Sequence, residues 1–255
     1  ARDGYFAYSL CAALLIFTCI LLSTAGTQNQ IPYLRQAPTR KITFRAMARE
    51  VAATLNNRAF VIATITGMFV AIAVGARNAL EIYFGLYFWE LSQSQLAGLV
   101  TVSVVGSAMG VVAAPQIAKR IGKKHGAILM FASALLVGVS PVVARLVGVM
   151  PDNGTGLLYG LLIVETVINT ALAGGTGVLL VSLVADVIED AEVKTGRRSE
   201  GLLMSADNLF KKLVSGVGVF ISGAVLAAIA FPENAKRGQV DPEIIHNMGL
   251  IYLPV

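Results

Sequence analysis

The residues best placed to do chemistry are a few polar groups set inside long apolar runs. Ser205, Asn208, Lys212 and Ser215 recur at a 3-4-3 spacing, which draws one polar stripe along a helix. Counted from Gly201 at ~1.5 Å per residue, Lys212 lies ~16 Å along, close to the middle of a bilayer. One use for an ammonium there is to bind a substrate oxygen or anion on a water-filled path. The other reading is a Lys212 that snorkels to the interface. Asp207 and Lys211, an i,i+4 pair of opposite sign, then neutralise each other. Ser205, Asp207, Asn208 and Lys212 are therefore the candidate binding residues of such a path.

A second group is Arg77, Asn78 and Glu81, and a third is Glu165 with Asn169. A charge at the centre of a membrane helix costs roughly 2.5–3.5 kcal/mol on insertion scales, so such residues call for a partner or a function. Arg77 and Glu81 are i,i+4, either a local pair near the outer interface or part of a cavity wall. Glu165 and Asn169 share a helix face; the carboxylate would take a proton or cation there, or bond a neighbouring helix. Arg145, near the outer end of its run, is expected to snorkel.

Enzyme chemistry has no foothold. The sequence holds no P-loop, HExxH or GxSxG pattern. Its two histidines, His125 and His246, fall in loops, and Cys11 and Cys19 lie in one apolar run without metal-ligand spacing, which leaves small apolar packing as their role. No catalytic residue, metal site or cofactor is expected.

The elements that must carry these groups are membrane helices. Of 255 residues, 56% are hydrophobic and 14% charged, against roughly 25% charged in soluble domains. Charges gather in connectors and leave apolar runs near 5–26, 59–83 or beyond, 96–117, 127–147, 157–187 and 202–231. Each is of the ~20-residue length that a bilayer core of ~30 Å demands. The reading is an all-α membrane protein of about six transmembrane helices. Between the first two runs, residues 43–57 set Phe44, Met47, Val51 and Leu55 against Arg45, Arg49 and Glu50, the pattern of an interfacial amphipathic helix. Tyr83, Phe84, Tyr87, Phe88 and Trp89 read as an interfacial aromatic belt. The GxxxG of Gly106 and Gly110, with Gly174, Gly175 and Gly177, reads as close helix packing. The chain opens at Ala1 and stops in the apolar stretch Met248 to Val255, and is read as a fragment.

Orientation follows from the basic residues. The formal net charge is +5, and Lys and Arg crowd the connectors after the first, third and fifth runs. The other side holds only Lys236 and Arg237 in its short loops. Positive-inside bias puts the basic connectors in the cytoplasm and the amino end outside. The same placement explains the basic balance through the membrane, without nucleic acid.

Residues 185–201, Ala-Asp-Val-Ile-Glu-Asp-Ala-Glu-Val-Lys-Thr-Gly-Arg-Arg-Ser-Glu-Gly, resemble the signature of the glycoside–pentoside–hexuronide:cation symporters of the major facilitator superfamily, to which melibiose permease belongs. Arg120-Ile-Gly-Lys-Lys124 is similar to that family's basic turn between spans eight and nine, and Asn57-Arg58-Ala59-Phe60 to the start of span seven. The resemblance implies a major facilitator-type bundle with spans six to eleven and the start of twelve present. It divides the chain into 1–26 (last span of the amino-terminal half), 27–58 (cytoplasmic central loop) and 59–255 (carboxy-terminal half, truncated in its last span). It implies that Lys212 matches a lysine near the cation and sugar sites, that Asn208 stands where a cation-site threonine does, and that Asp186, Asp190, Arg197 and Arg198 belong to a cytoplasmic gate motif. Gly177 stands where melibiose permease has a tryptophan beside the sugar, a departure that puts galactosides in doubt.

The function expected is cation-coupled (Na+ or H+) symport of a sugar or glycoside by alternating access. The protein would be a multi-pass protein of the bacterial inner membrane, and a monomer when complete. A carrier of lysolipids or other amphipathic solutes is the alternative that Gly177 motivates. A non-transporting receptor or scaffold is the alternative of another class, and would leave Lys212 without a role.

Overall fold

The computed structural model describes residues 2–29, 31–33, 58–195, 200–232 and 235–253. The expected amphipathic helix at 43–57 and the gate residues Arg197 and Arg198 lie outside the described residues, as do the side chains of Asp190 and Asp207. All regular structure among the described residues is helical, and six helices are long and apolar enough to cross a membrane. The chain is a multi-pass membrane protein.

Two units make up the chain, Ala1–Phe44 and Arg45–Val255. The first contains α1 (Arg2–Gln28) and a 3-10 turn, Ile31–Tyr33. Within the apolar stretch Phe6–Gln28, the Thr18 and Thr24 hydroxyls donate to the carbonyls of Leu14 and Ile20. Polar groups are satisfied inside the helix, as lipid requires.

The second unit holds α2 (Arg58–Tyr83), a π-helical turn (Phe84–Phe88), α3 (Gln93–Ile121), α4 (Lys123–Leu146), α5 (Gly156–Thr195), α6 (Glu200–Ala228) and α7 (Pro242–Tyr252). The boundaries are chemical. Ser92 and Gln95 form a reciprocal capping box at the start of α3. Gly122, at φ +82°, is the whole connector between α3 and α4, a left-handed conformation glycine adopts without a Cβ clash. Asp241 caps α7, with Pro242 in its first turn.

Glycine decides which helices touch. α2 and α6 run parallel, with Gly75 against the backbone of Ser215 and Gly218 against Ile72 and Ala76. The Ser222 hydroxyl, buried there, donates to the Ala76 carbonyl at 2.9 Å. α3 and α5 also run parallel. Gly106 meets Val167 and Thr170, and Gly110 meets Ala171 and Gly175, so the GxxxG does the packing its spacing predicts. α4 lies antiparallel on α5, with Gly126 beside Leu179 and Gly138 beside Asn169.

The aromatic cluster corrects the sequence reading. Phe84, Phe88 and Trp89 are buried in a core with Leu80, Val142, Leu158 and Met248, so they are not a belt facing headgroups. The helix does not stop at Tyr83. The π turn carries it on to Phe88, and α7 folds back to pack Tyr252 at a tilt against Phe84, with ring centroids 4.4 Å apart. Tyr83 and Tyr87 meet Phe231 edge-on instead.

Arg145 is a second correction. Its guanidinium donates to the Pro151 carbonyl at 2.7 Å and to Asn153 Oδ1 at 2.8 Å. Asn153 in turn donates to the Phe88 carbonyl at 3.2 Å. Loop carbonyls within reach hold the cation more strongly than an interface it would have to stretch towards.

Candidate functional site

The deepest charged groups meet in one cavity. Continuation of α2 through the π turn gives an apolar stretch of 25 residues, Thr64–Phe88. Arg77 therefore stands near its middle, not in its outer part. Its guanidinium points across to α5 and donates to Asn169 Oδ1 at 2.8 Å. Asn169 is 2% exposed, and its amide nitrogen donates to the Ala134 carbonyl of α4 at 2.8 Å. A guanidinium can only donate, so it fixes which end of the amide faces it. One side chain thus ties α2, α4 and α5 together.

Two features of α4 make room for this. A Cβ at Gly138 would stand 2.7 Å from Asn169 Nδ2 and 3.3 Å from Arg77 Nη1. One turn on, Pro141 has no N–H for the Val137 carbonyl. The Ser140 hydroxyl donates to that carbonyl instead, at 2.8 Å, the repair a membrane helix needs at proline.

The cavity measures about 340 Å³ and is lined by Arg77, Asn78 and Glu81 of α2, Ser103 of α3, Glu165, Thr166, Asn169 and Thr170 of α5, and Tyr252 of α7. Trp89, Phe84 and Leu162 supply apolar wall. Among the described residues neither Glu81 nor Glu165 has an ion-pair partner within 4 Å. The local Arg77–Glu81 pair that the i,i+4 spacing allowed is therefore not made; the cation is spent on Asn169. Two carboxylates and one guanidinium face a small cavity whose other walls are neutral. A volume of this size with convergent donors and acceptors and aromatic walls suits a small polyol or an ion.

A shallow groove of about 590 Å³ lies between α2 and α6, lined by Asn78, Asn208, Lys211, Lys212 and Ser215 with Ala71 and Val74. The polar stripe on α6 is real from Asn208 to Ser215; Ser205, one turn earlier, lies outside the groove lining. Lys212 is exposed, while Lys211 is half-buried with its chain against Gly67 of α2. The apolar stretch of α6 runs Asn208–Ala228, which sets Lys212 nearer the end with the basic connectors than a count from Gly201 implies. Asn78 lines both the groove and the cavity. It joins them into one polar wall along α2.

Of the expected gate motif, Asp186 is described. Both its carboxylate oxygens accept from Lys123 Nζ at 2.7 Å. The pair is 41% and 50% exposed and ties α5 to the first residue of α4, joining the two charged motifs seen in sequence. Gly177 faces open space, with nothing within 4 Å of an added Cβ.

Sequence reasoning missed Asn78 as the shared wall, and Thr170 and Tyr252 as lining. Thr166 and Thr170 flank Glu165 and Asn169 at i,i+4, a signal that was there to read. Tyr252 gave none, because only the fold-back of α7 brings it in.

Comparison with known proteins agrees with this architecture. The chain is 28% identical over 206 residues to the uncharacterized symporter YjmB of Bacillus subtilis (strain 168), covering 80% of this chain and 41% of that protein. It is 22% identical over 257 residues to the isoprimeverose transporter of Lactiplantibacillus pentosus, covering 100% of this chain and 50% of the relative. It is 25% identical over 219 residues to the uncharacterized symporter sll1374 of Synechocystis sp. (strain ATCC 27184 / PCC 6803 / Kazusa), covering 82% and 37%. The chain thus spans half or less of the length of these curated relatives. No solved structure matches it. The family described as MFS/sugar transport protein matches residues 1–255, and the chain belongs to that family.

Proposed function

We propose that this chain is part of a secondary active transporter that moves a sugar or glycoside with a cation, Na+ or H+, by alternating access. The observation that carries the reading is the continuous polar wall on α2, α5 and α6: Lys212 and Asn208 in the groove, Arg77, Glu81, Glu165 and Asn169 in the cavity, and Asn78 in both. Hydroxyl-rich solutes need donors and acceptors held at fixed places, with few of them spent on one another. Here Arg77 and Asn169 bond each other, while Glu81 and Glu165 make no ion pair among the described residues and Lys212 remains exposed. The relatives support it, since two bear the name symporter and one the name isoprimeverose transporter.

On this reading residues 1–26 are the last span of a first half, 27–58 a cytoplasmic loop, and 59–255 most of a second half. The substrate lies between the halves, as in major facilitators generally. Lys123 and Asp186 act at the cytoplasmic gate together with Asp190, Arg197 and Arg198, and Asp207 and Ser205 lie at the approach to the groove. The working protein is a monomer in the bacterial inner membrane.

Sugar uptake into vesicles holding the intact protein, under an imposed sodium or proton gradient, tests the proposal. Gradient-driven accumulation that Lys212→Ala reduces at least ~10-fold is expected; a drop of that size corresponds to ~1.4 kcal/mol of lost binding or barrier. Uptake indifferent to both gradients, or to the substitution, contradicts it. A second reading has one observation in its favour: Gly177 opens on free space where the resemblance places an aromatic platform. An amphipathic cargo such as a lysolipid suits that room, with Lys212 pairing its phosphate. Stabilisation of the purified protein by lysolipids and not by sugars decides for this cargo.

A further inference from the structure

The cavity holds an unbalanced set of charges. Arg77 and Glu81 face it from α2 and Glu165 from α5. From α7 comes the Tyr252 phenol, while α3 and α4 contribute Ser103, Gly138, Pro141 and Val142, none of which titrates. With both carboxylates ionised the set sums to −1. A net charge held at membrane depth with neutral walls is costly, and the least costly relief is to bind one monovalent cation. Arg77 cannot supply more, because its single positive charge is already counted in that sum. A metal ion fits poorly: the same guanidinium repels it, and no group of three or more acidic, histidine or cysteine side chains converges among the described residues. A proton needs one oxygen only.

We propose that Glu165, with Glu81 and Arg77, forms a one-proton site inside this half of the protein, separate from the Lys212 groove and joined to it through Asn78. Glu165 carries the proton. It is half-buried, whereas Glu81 is exposed. Proton binding changes the set from −1 to 0 and removes the repulsion between the two carboxylates. Asn78, on the shared wall, lets a solute in the groove sense that change. The site deepens the symport reading by naming a proton-binding group, but its test needs no transport.

The test counts protons taken up by the purified intact protein in lipid when pH is lowered from ~8.5 to ~5.5. Infrared difference spectra of the carboxyl C=O stretch are recorded alongside. Glu165→Gln is expected to take up about one proton fewer and to lose one protonated-carboxyl band, while Lys212→Gln keeps both. Glu81→Gln balances the remaining charges, so it too is expected to lose about one proton from the count. If Glu165→Gln folds poorly, this second variant carries the test. Proton counts equal to wild type in both variants overturn the proposal. So does sodium at fixed pH removing the same band, which would assign the site to a metal cation. Failed uptake with an intact proton count would sink the transport reading and leave this site standing.

Discussion

Replacing Asn169 by alanine removes a side chain that bonds α2, α4 and α5 together. The bond from Arg77 has a charged donor, a class worth ~1.5–3 kcal/mol in soluble proteins. Interhelical side-chain bonds measured within membranes are weaker, averaging ~0.6 and reaching ~1.7 kcal/mol. The second bond, to the Ala134 carbonyl, is worth less, because that carbonyl also sits in the α4 helix ladder. Asn169→Ala should therefore cost ~2 kcal/mol, with the lost bond from Arg77 as the larger share. Stability is read from reversible SDS unfolding in mixed micelles. The single value includes any cavity the alanine leaves, so a double-mutant cycle with Arg77→Gln isolates the bond. A coupling of ~1–2 kcal/mol is expected. Asn78→Ala, at an exposed residue one position away, should move stability by less than ~0.5 kcal/mol. A coupling indistinguishable from zero, or equal losses at 78 and 169, refutes the claim that this bond holds the cavity wall.

Other substitutions probe other parts. Gly110→Val drives a side chain into the Ala171 and Gly175 backbone and should cost several kcal/mol, about 3 or more, or abolish folding; Gly177→Val, in open space, should express and melt like wild type. Asp186→Asn removes a half-exposed ion pair with Lys123 and should change stability by only ~0–1 kcal/mol. If the pair latches a gate, uptake falls far more than stability, and the reversed pair Lys123→Asp/Asp186→Lys restores part of it. Arg145→Met frees the loop carbonyl of Pro151 and Asn153, and amide exchange across 147–155 should speed up ~10-fold or more while exchange in α5 is unchanged.

How much of this could be read from sequence depends on the kind of signal. Helices announced themselves through length and charge-free runs: the starts and ends of α3 and α4 and the start of α5 fall within a few residues of the expected ones, while α5 runs on past the expected 187 to Thr195. Glycine pairs predicted close packing because only a missing Cβ lets two backbones meet. The depth of Arg77 was misjudged because an aromatic run looks the same whether it faces headgroups or a core. The π turn and the fold-back of α7 decide that, and neither leaves a period in the sequence. Arg77 and Asn169 are 92 residues apart, and their bond depends on the α4–α5 crossing at Gly138. Spacing along one helix could place Glu165 and Asn169 on one face, and Asn208 with Lys212 on another. It could not say that Asn78 stands between them, because that juxtaposition belongs to the bundle.

The polar wall itself is tested most directly at Asn78. With Cys11 and Cys19 replaced by serine, a cysteine introduced by Asn78→Cys is challenged with a membrane-impermeant thiol reagent in intact cells and in inverted vesicles. The expected result is labelling from at least one side, slowed several-fold by the transported solute. A thiol at that position that no water-borne reagent reaches, from either side and with or without solute, would mean that groove and cavity are packed protein rather than a solute path.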